Sequence, residues 1–248
     1  MLVVALGGPF VYFRLIQDDP PPPLSFADVI TPAVTTTAPG PTPVTDTSTA
    51  TIAAAVATTI KATAAPTVAP VTVAAGPVDG PWRVGSGSIA GYRIGETVGL
   101  TAQDAVGRTS KVSGSMVVNG TTVTNGSWTV DMVSVTSDDS RRDANYRRDM
   151  SVETYPTSTF VLGEPISFGS VPADGVDVSV PVKGALTLRG QTRQVSYSLK
   201  ARRANGRIEA LGSIPVKFAD YGIPNPSNGY ARTDDHGLIE FLLLFDRG

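Results

Sequence analysis

The chain has no cysteine and a single histidine, His236. The first absence excludes disulfides, a thiolate nucleophile, Cys-ligated zinc and a lipid-modified cysteine anchor. The second excludes a histidine-rich metal centre and leaves one candidate base for a Ser-His-Asp triad. Asp234-Asp235-His236 set two carboxylates beside that imidazole. Neighbours on a strand or turn point apart, however, so the run reads as a solvated turn. No G-x-S-x-G elbow is present. Charge is also scarce, at 17% of residues. Setting aside Arg14, Lys61, Asp18, Asp19, Asp28, Asp46 and Asp79 leaves 18 basic and 17 acidic side chains in residues 82–248. A nucleic-acid binder shows a basic excess, and this balance speaks against one. No catalytic residue, metal site or cofactor is expected.

Aromatic residues are nearly missing from 20–81, where Phe26 stands alone among twelve prolines and many Thr and Ala. Such a segment offers too little apolar surface to offset its ordering entropy. Residues 17–81 therefore read as a disordered Pro/Thr/Ala-rich stalk or linker. Ahead of it, residues 1–16 are apolar up to Arg14. A bilayer span needs ~20 apolar residues, and a signal peptide opens on positive charge, so neither template fits closely. Residues 17–60 carry no Lys or Arg, which suits a translocated segment. The order of parts predicts an N-terminal membrane anchor with the domain outside the cytoplasmic membrane, or secreted if the segment is cleaved.

Residues 82–248 alternate apolar and polar positions. Val176, Val178, Val180, Val182, Gly184, Leu186 and Leu188 share one face, as do Val195, Tyr197, Leu199 and Ala201. Ile208, Ala210, Gly212, Ile214, Val216 and Phe218 form a third such face. Period-2 runs with one wet side are antiparallel strands. Asn119-Gly120 and Asn205-Gly206 suit type I′ turns, and Asp174-Gly175 and Gly190 mark further reversals. Leu238–Phe245 is apolar on both faces, as a strand covered twice would be. Further strands are expected near 88–95, 112–118, 127–135 and 158–168. The total of eight to nine, joined in sequence, indicates an all-β up-and-down barrel or sandwich. Gly184, Ala210 and Gly212 would leave room inside a barrel, or merely ease strand curvature.

Two stretches break the pattern. Gly85–Gly91 loosely matches a dinucleotide fingerprint, but antiparallel surroundings remove the context that motif needs. Residues 138–151 lack alternation and concentrate Asp138, Asp139, Asp143 and Asp149 with Arg141, Arg142, Arg147 and Arg148. With Asp138 or Asp139 as a cap, this is a short helical excursion between strands. Its arginines either pair with their own aspartates or meet an anionic head group.

The order of segments resembles the YceI-like family of bacterial exported proteins. The most specific parts are Tyr155-Pro156 followed by Phe160, the G-x-L-T-L-x-G-x-T-R run from Gly184 to Arg193, and Asp220-Tyr221-Gly222-Ile223. The resemblance implies an eight-stranded antiparallel lipocalin-like β-barrel with a short helical insertion around an elongated apolar cavity. It also implies a non-catalytic protein whose partner is a polyisoprenoid, isoprenoid quinone or similar long-chain amphiphilic lipid. Alternation plus this resemblance nominates Phe160, Leu186, Leu188, Tyr197, Ile214, Val216, Phe218 and Phe241 as cavity lining. Arg141, Arg148, Tyr155 and Tyr221 are nominated for the lipid head. Two positions depart from the family, which often has Phe at the place of Tyr221 and fewer charges between Ser137 and Tyr155. The alternative is a filled barrel serving as a structural or interaction domain.

Overall fold

Alternation along the chain becomes alternation across a barrel wall. In strand β8 (Val178–Leu188), Val182, Gly184, Leu186 and Leu188 are buried while Ser179, Pro181 and Lys183 face solvent. The same two-sidedness runs through β4 (Val112–Asn119), β9 (Gln191–Ala204) and β10 (Arg207–Lys217). The structure, a computed structural model, describes residues 20–29, 78–227 and 231–248. All of these belong to one folded unit, and the stretch Thr31–Ala74 lies outside them.

The strands close on themselves. β1 (Gly80–Val84) and β2 (Ile89–Val98) form one wall strand kinked at 85–88, and β3 (Thr101–Thr109) and β4 form a second kinked near Ser110. From there the ring continues through β5 (Thr122–Asp131), β6 (Thr157–Leu162), β8, β9, β10 and β12 (His236–Arg247), every pairing antiparallel. β12 then pairs with β1 and β2, so eight wall strands make a closed barrel with no free edge. At the seam Trp82 sits opposite Arg247, its indole donating to the Val78 carbonyl at 2.8 Å. Short strands β7 (Ile166–Ser167) and β11 (Ala231–Thr233) pair with β5 and β2.

The turns show where local chemistry was decisive. Asn205-Gly206 and Arg189-Gly190 both have two consecutive positive φ angles, as type I′ hairpins require. At the β4–β5 turn only Gly120 is left-handed, so this turn differs from the I′ form expected of Asn119-Gly120. Helix α1 (Ser140–Met150) starts at Asp139, whose carboxylate accepts from the Arg141 N–H at 2.7 Å. It ends at Ser151, left-handed with φ 51°. Asp143 in the first turn and Arg147 and Arg148 in the last complement the helix dipole.

Two boundaries differ from the sequence reading. The barrel begins at Gly80 rather than Trp82, because the backbone there pairs with Val118. Residues 20–29, expected within the stalk, lie folded against the outer barrel wall. Leu24 is buried there with Leu242 and Leu244, and Phe26, Val29, Ile89 and Leu211 pack around them. Ser25 and Asp28 cap a 3₁₀ turn, the Asp28 carboxylate accepting from the Ser25 N–H at 2.6 Å. This strap is what covers the second apolar face of β12. Polar contacts hold its length: Arg93 donates to the Pro21 carbonyl at 2.8 Å, Arg108 to that of Pro22, and Arg202 to that of Phe26 at 3.3 Å. The Arg202 guanidinium also lies 4.4 Å from the centre of the Phe26 ring. Beneath the strap, Glu240 pairs with Arg93 at 2.9 Å and Glu209 with Arg202 at 2.7 Å, so the buried acids have partners. The expected anchor at 1–16 and the rest of the stalk fall outside the described residues, apart from 78–81.

Candidate functional site

The barrel interior is crossed at its waist by aromatic rings. Trp128 from β5 stacks on Phe160 from β6 at 4.1 Å and meets Phe241 from β12 at 5.2 Å. Tyr197 from β9 closes the layer with edge contacts to Phe160 at 5.7 Å and Phe241 at 5.8 Å. Glycine makes this possible. A β-carbon on Gly184 would collide with the Phe160 ring, and one on Gly212 with the Phe241 ring. The room expected at these small positions is therefore filled by aromatic side chains from the strand alongside each one. Of the three, Ala210 borders open space.

The layer splits the interior in two, where the sequence led us to expect one elongated cavity. The upper chamber, towards Val78, Val118 and Phe245, measures about 100 Å³ and is almost wholly apolar. Tyr197, one of its lining residues, has a buried hydroxyl with no hydrogen-bond partner among the described residues. Burial pushes this phenol's pKa far up, so it stays a neutral donor.

The lower chamber is larger, about 420 Å³, and lies between the barrel floor and α1. Its walls are apolar: Ile94, Ala105, Val130, Leu188, Val216, Phe218 and Ile239 from the strands and the 3₁₀ turn Phe218–Tyr221, with Met132 and Met150 across from them. Tyr146 seats the helix, stacking on Tyr92 at 5.4 Å and donating to the Met132 carbonyl at 3.1 Å. Burial raises the pKa of both tyrosines, so neither ionises at neutral pH. One side of the chamber is polar, with Glu96, Gln103, Asp139, Arg141, Arg142 and Asn145. Arg142 is committed to Glu96 at 3.1 Å and to Asp138. Arg141 is exposed and makes no ion pair among the described residues, so its guanidinium is available at this mouth. Among the described residues no group of three His, Asp or Glu could hold a metal ion.

A family model for the YceI-like domain matches residues 84–244 of this closed eight-stranded barrel. The chain belongs to the YceI-like family. A polyisoprenoid binding domain from Saccharophagus degradans, implicated in plant cell wall breakdown, is similar in structure with a TM-score of 0.56 at 19% identity. The match covers 68% of this chain and 99% of that one, and it supports the fold. BcnA of Burkholderia cenocepacia matches with a TM-score of 0.47 at 19% identity, covering 62% of this chain and 95% of its own. The YCEI protein of Campylobacter jejuni matches at 0.42 and 14% identity, over 56% and 83%. No curated protein matches the chain significantly.

Within this YceI-like barrel the nominated residues divide by chamber. Phe160, Tyr197 and Phe241 face the upper one, while Leu188, Val216 and Phe218 line the lower. Leu186 and Ile214 are buried in the core and border neither. Of the four head-group nominees, Arg141 stands at the lower mouth. Arg148 does not line the chamber and pairs with Asp149, which does, at 2.8 Å. Tyr155 is exposed and lies against Gly190. Tyr221 is buried, its hydroxyl without a partner among the described residues. Sequence reasoning did not pick out Trp128, Tyr92, Met132 or Tyr146. Inward alternation along β2 and β5 held a signal for Tyr92 and Trp128, whereas Tyr146 needed the docking of α1.

Proposed function

We propose that this YceI-like protein binds, without chemical turnover, the hydrocarbon chain of an amphiphilic lipid of the prenyl class in the lower chamber. The observation that carries the reading is that chamber: apolar, walled by a closed barrel, within the ~300–1,000 Å³ range of ligand sites, and polar along one side. The S. degradans domain's described binding of polyisoprenoids points to the same ligand class. Arg141, exposed at the chamber's edge, would meet a head-group oxygen, and Tyr92 and Tyr146 also line the chamber. On the order of fifteen buried carbons contribute about 12 kcal/mol, and an association cost of ~4 kcal/mol leaves about 8, a micromolar complex. Binding alone is invoked, and no chemical step is assigned to the chamber's lining.

Native mass spectrometry of the full chain with farnesol tests this directly. One farnesol should be retained per chain, and Val216→Trp, which fills the chamber, should lose it while keeping its melting temperature within a few degrees. Absence of bound prenyl alcohol, or equal retention by Val216→Trp, would overturn the proposal.

A further inference from the structure

The lower end of the barrel differs from the upper in what projects from it. β12 pairs with β2 only up to Leu238 opposite Arg93, yet β2 and β3 stay paired as far as Val98 opposite Thr101. At ~3.3 Å per residue, these five further positions carry the hairpin about 16 Å past the β12 ladder. At its tip, after left-handed Gly99, Leu100 is completely exposed. One exposed leucine on a surface is ordinary. This one crowns a hairpin whose inner face, Ile94, Glu96, Val98 and Gln103, lines the lower chamber.

An independent observation points to the same end. The strap runs along the outer wall from Phe26, at the level of Arg202 and Leu244, to Pro21, at the level of Arg93 where the hairpin leaves the barrel. Pro21, near the start of the described strap, therefore lies at the hairpin's base. In the sequence the apolar run 1–16 ends at Ile16, four residues before Pro20.

We infer that the lower rim, with the Leu100 tip, is the face this protein turns to a lipid bilayer. On the helix and the chamber's edge the acids have partners: Asp138 and Glu96 with Arg142, Asp149 with Arg148, Asp143 with Ser137, and Asp139 with the helix N-terminus; Glu153, Asp220 and Asp234 nearby are exposed. Arg141 and Arg147 are exposed without an ion pair among the described residues, so the guanidiniums offered to phosphate groups are free ones. In this orientation the mouth of the lower chamber opens at the bilayer surface, while the upper chamber and the 170–176 loop face away. The inference goes beyond the lipid-binding reading and stands without it.

The absence of cysteine makes a clean test. Leu100→Cys and, at the opposite end, exposed Val176→Cys are each labelled with an environment-sensitive fluorophore in the full chain. Vesicles of mixed phosphatidylcholine and phosphatidylglycerol are then added, and accessibility to aqueous iodide is measured. The Leu100 label should become several-fold less quenchable and shift to the blue, with the Val176 label unchanged. No protection at Leu100, or equal protection at both sites, would overturn the inference. Farnesol retention without vesicles is scored separately: its loss with Leu100 still protected would sink the chamber reading and leave the membrane face standing.

Discussion

Gly184 and Gly212 face the barrel axis without side chains because the Phe160 and Phe241 rings fill the space a β-carbon would take. Over-packing of this kind costs about 1–3 kcal/mol. Gly184→Ala and Gly212→Ala should each lower the urea midpoint accordingly, at unchanged slope. Tyr197 carries the opposite burden, a buried hydroxyl with no partner. Tyr197→Phe should leave stability unchanged or raise it by about 1 kcal/mol in calorimetry. Arg207 holds the Asp246 carboxylate below its ordinary pKa through hydrogen bonds of 2.6 and 2.8 Å. A lowered folded-state pKa gives stability that is complete above the unfolded value and is lost as pH falls through the folded one. Below about pH 4 the parent protein should therefore lose stability more steeply than Asp246→Asn, as read from melting temperature against pH.

The element most exposed to a single change is the strap. Leu24 is its one buried residue among those described, and truncating a buried leucine costs roughly 2–5 kcal/mol, more than a strap with a single 3₁₀ turn sustains by itself. Leu24→Ala should raise hydrogen exchange across residues 24–29 and make that stretch sensitive to protease, with the β8–β9 hairpin unaffected. This element also marks the limit of the sequence as a guide. The both-sided apolar pattern of Leu238–Phe245 announced that something covers β12, but Leu24 and Phe26 sit among prolines and gave no periodicity to nominate them. Strand β3 was missed for a related reason: its inward positions include Ala105 and Gly107, too small to read as an apolar face. By contrast β8, β9 and β10 alternate bulky groups with polar ones, and α1 declared itself through its cap and missing alternation.

At the scale of the molecule, alternation and turn residues showed an antiparallel β class but left barrel and sandwich both open, and only the resemblance in segment order pointed to the closed barrel. Its division into chambers was not legible, since that depends on which rotamers Trp128, Phe160 and Phe241 adopt across strands distant in sequence. The division carries the central claim, that a lipid chain is housed below the aromatic layer and α1. Photocrosslinking of the full chain with a diazirine analogue of farnesol, followed by peptide mapping, tests it most directly. Adducts are predicted on the lower-chamber walls, at Leu188, Val216, Ile239 or Tyr146. Adducts confined to Val118, Leu199 and Phe245 in the upper chamber, or scattered over the outer wall, would contradict it.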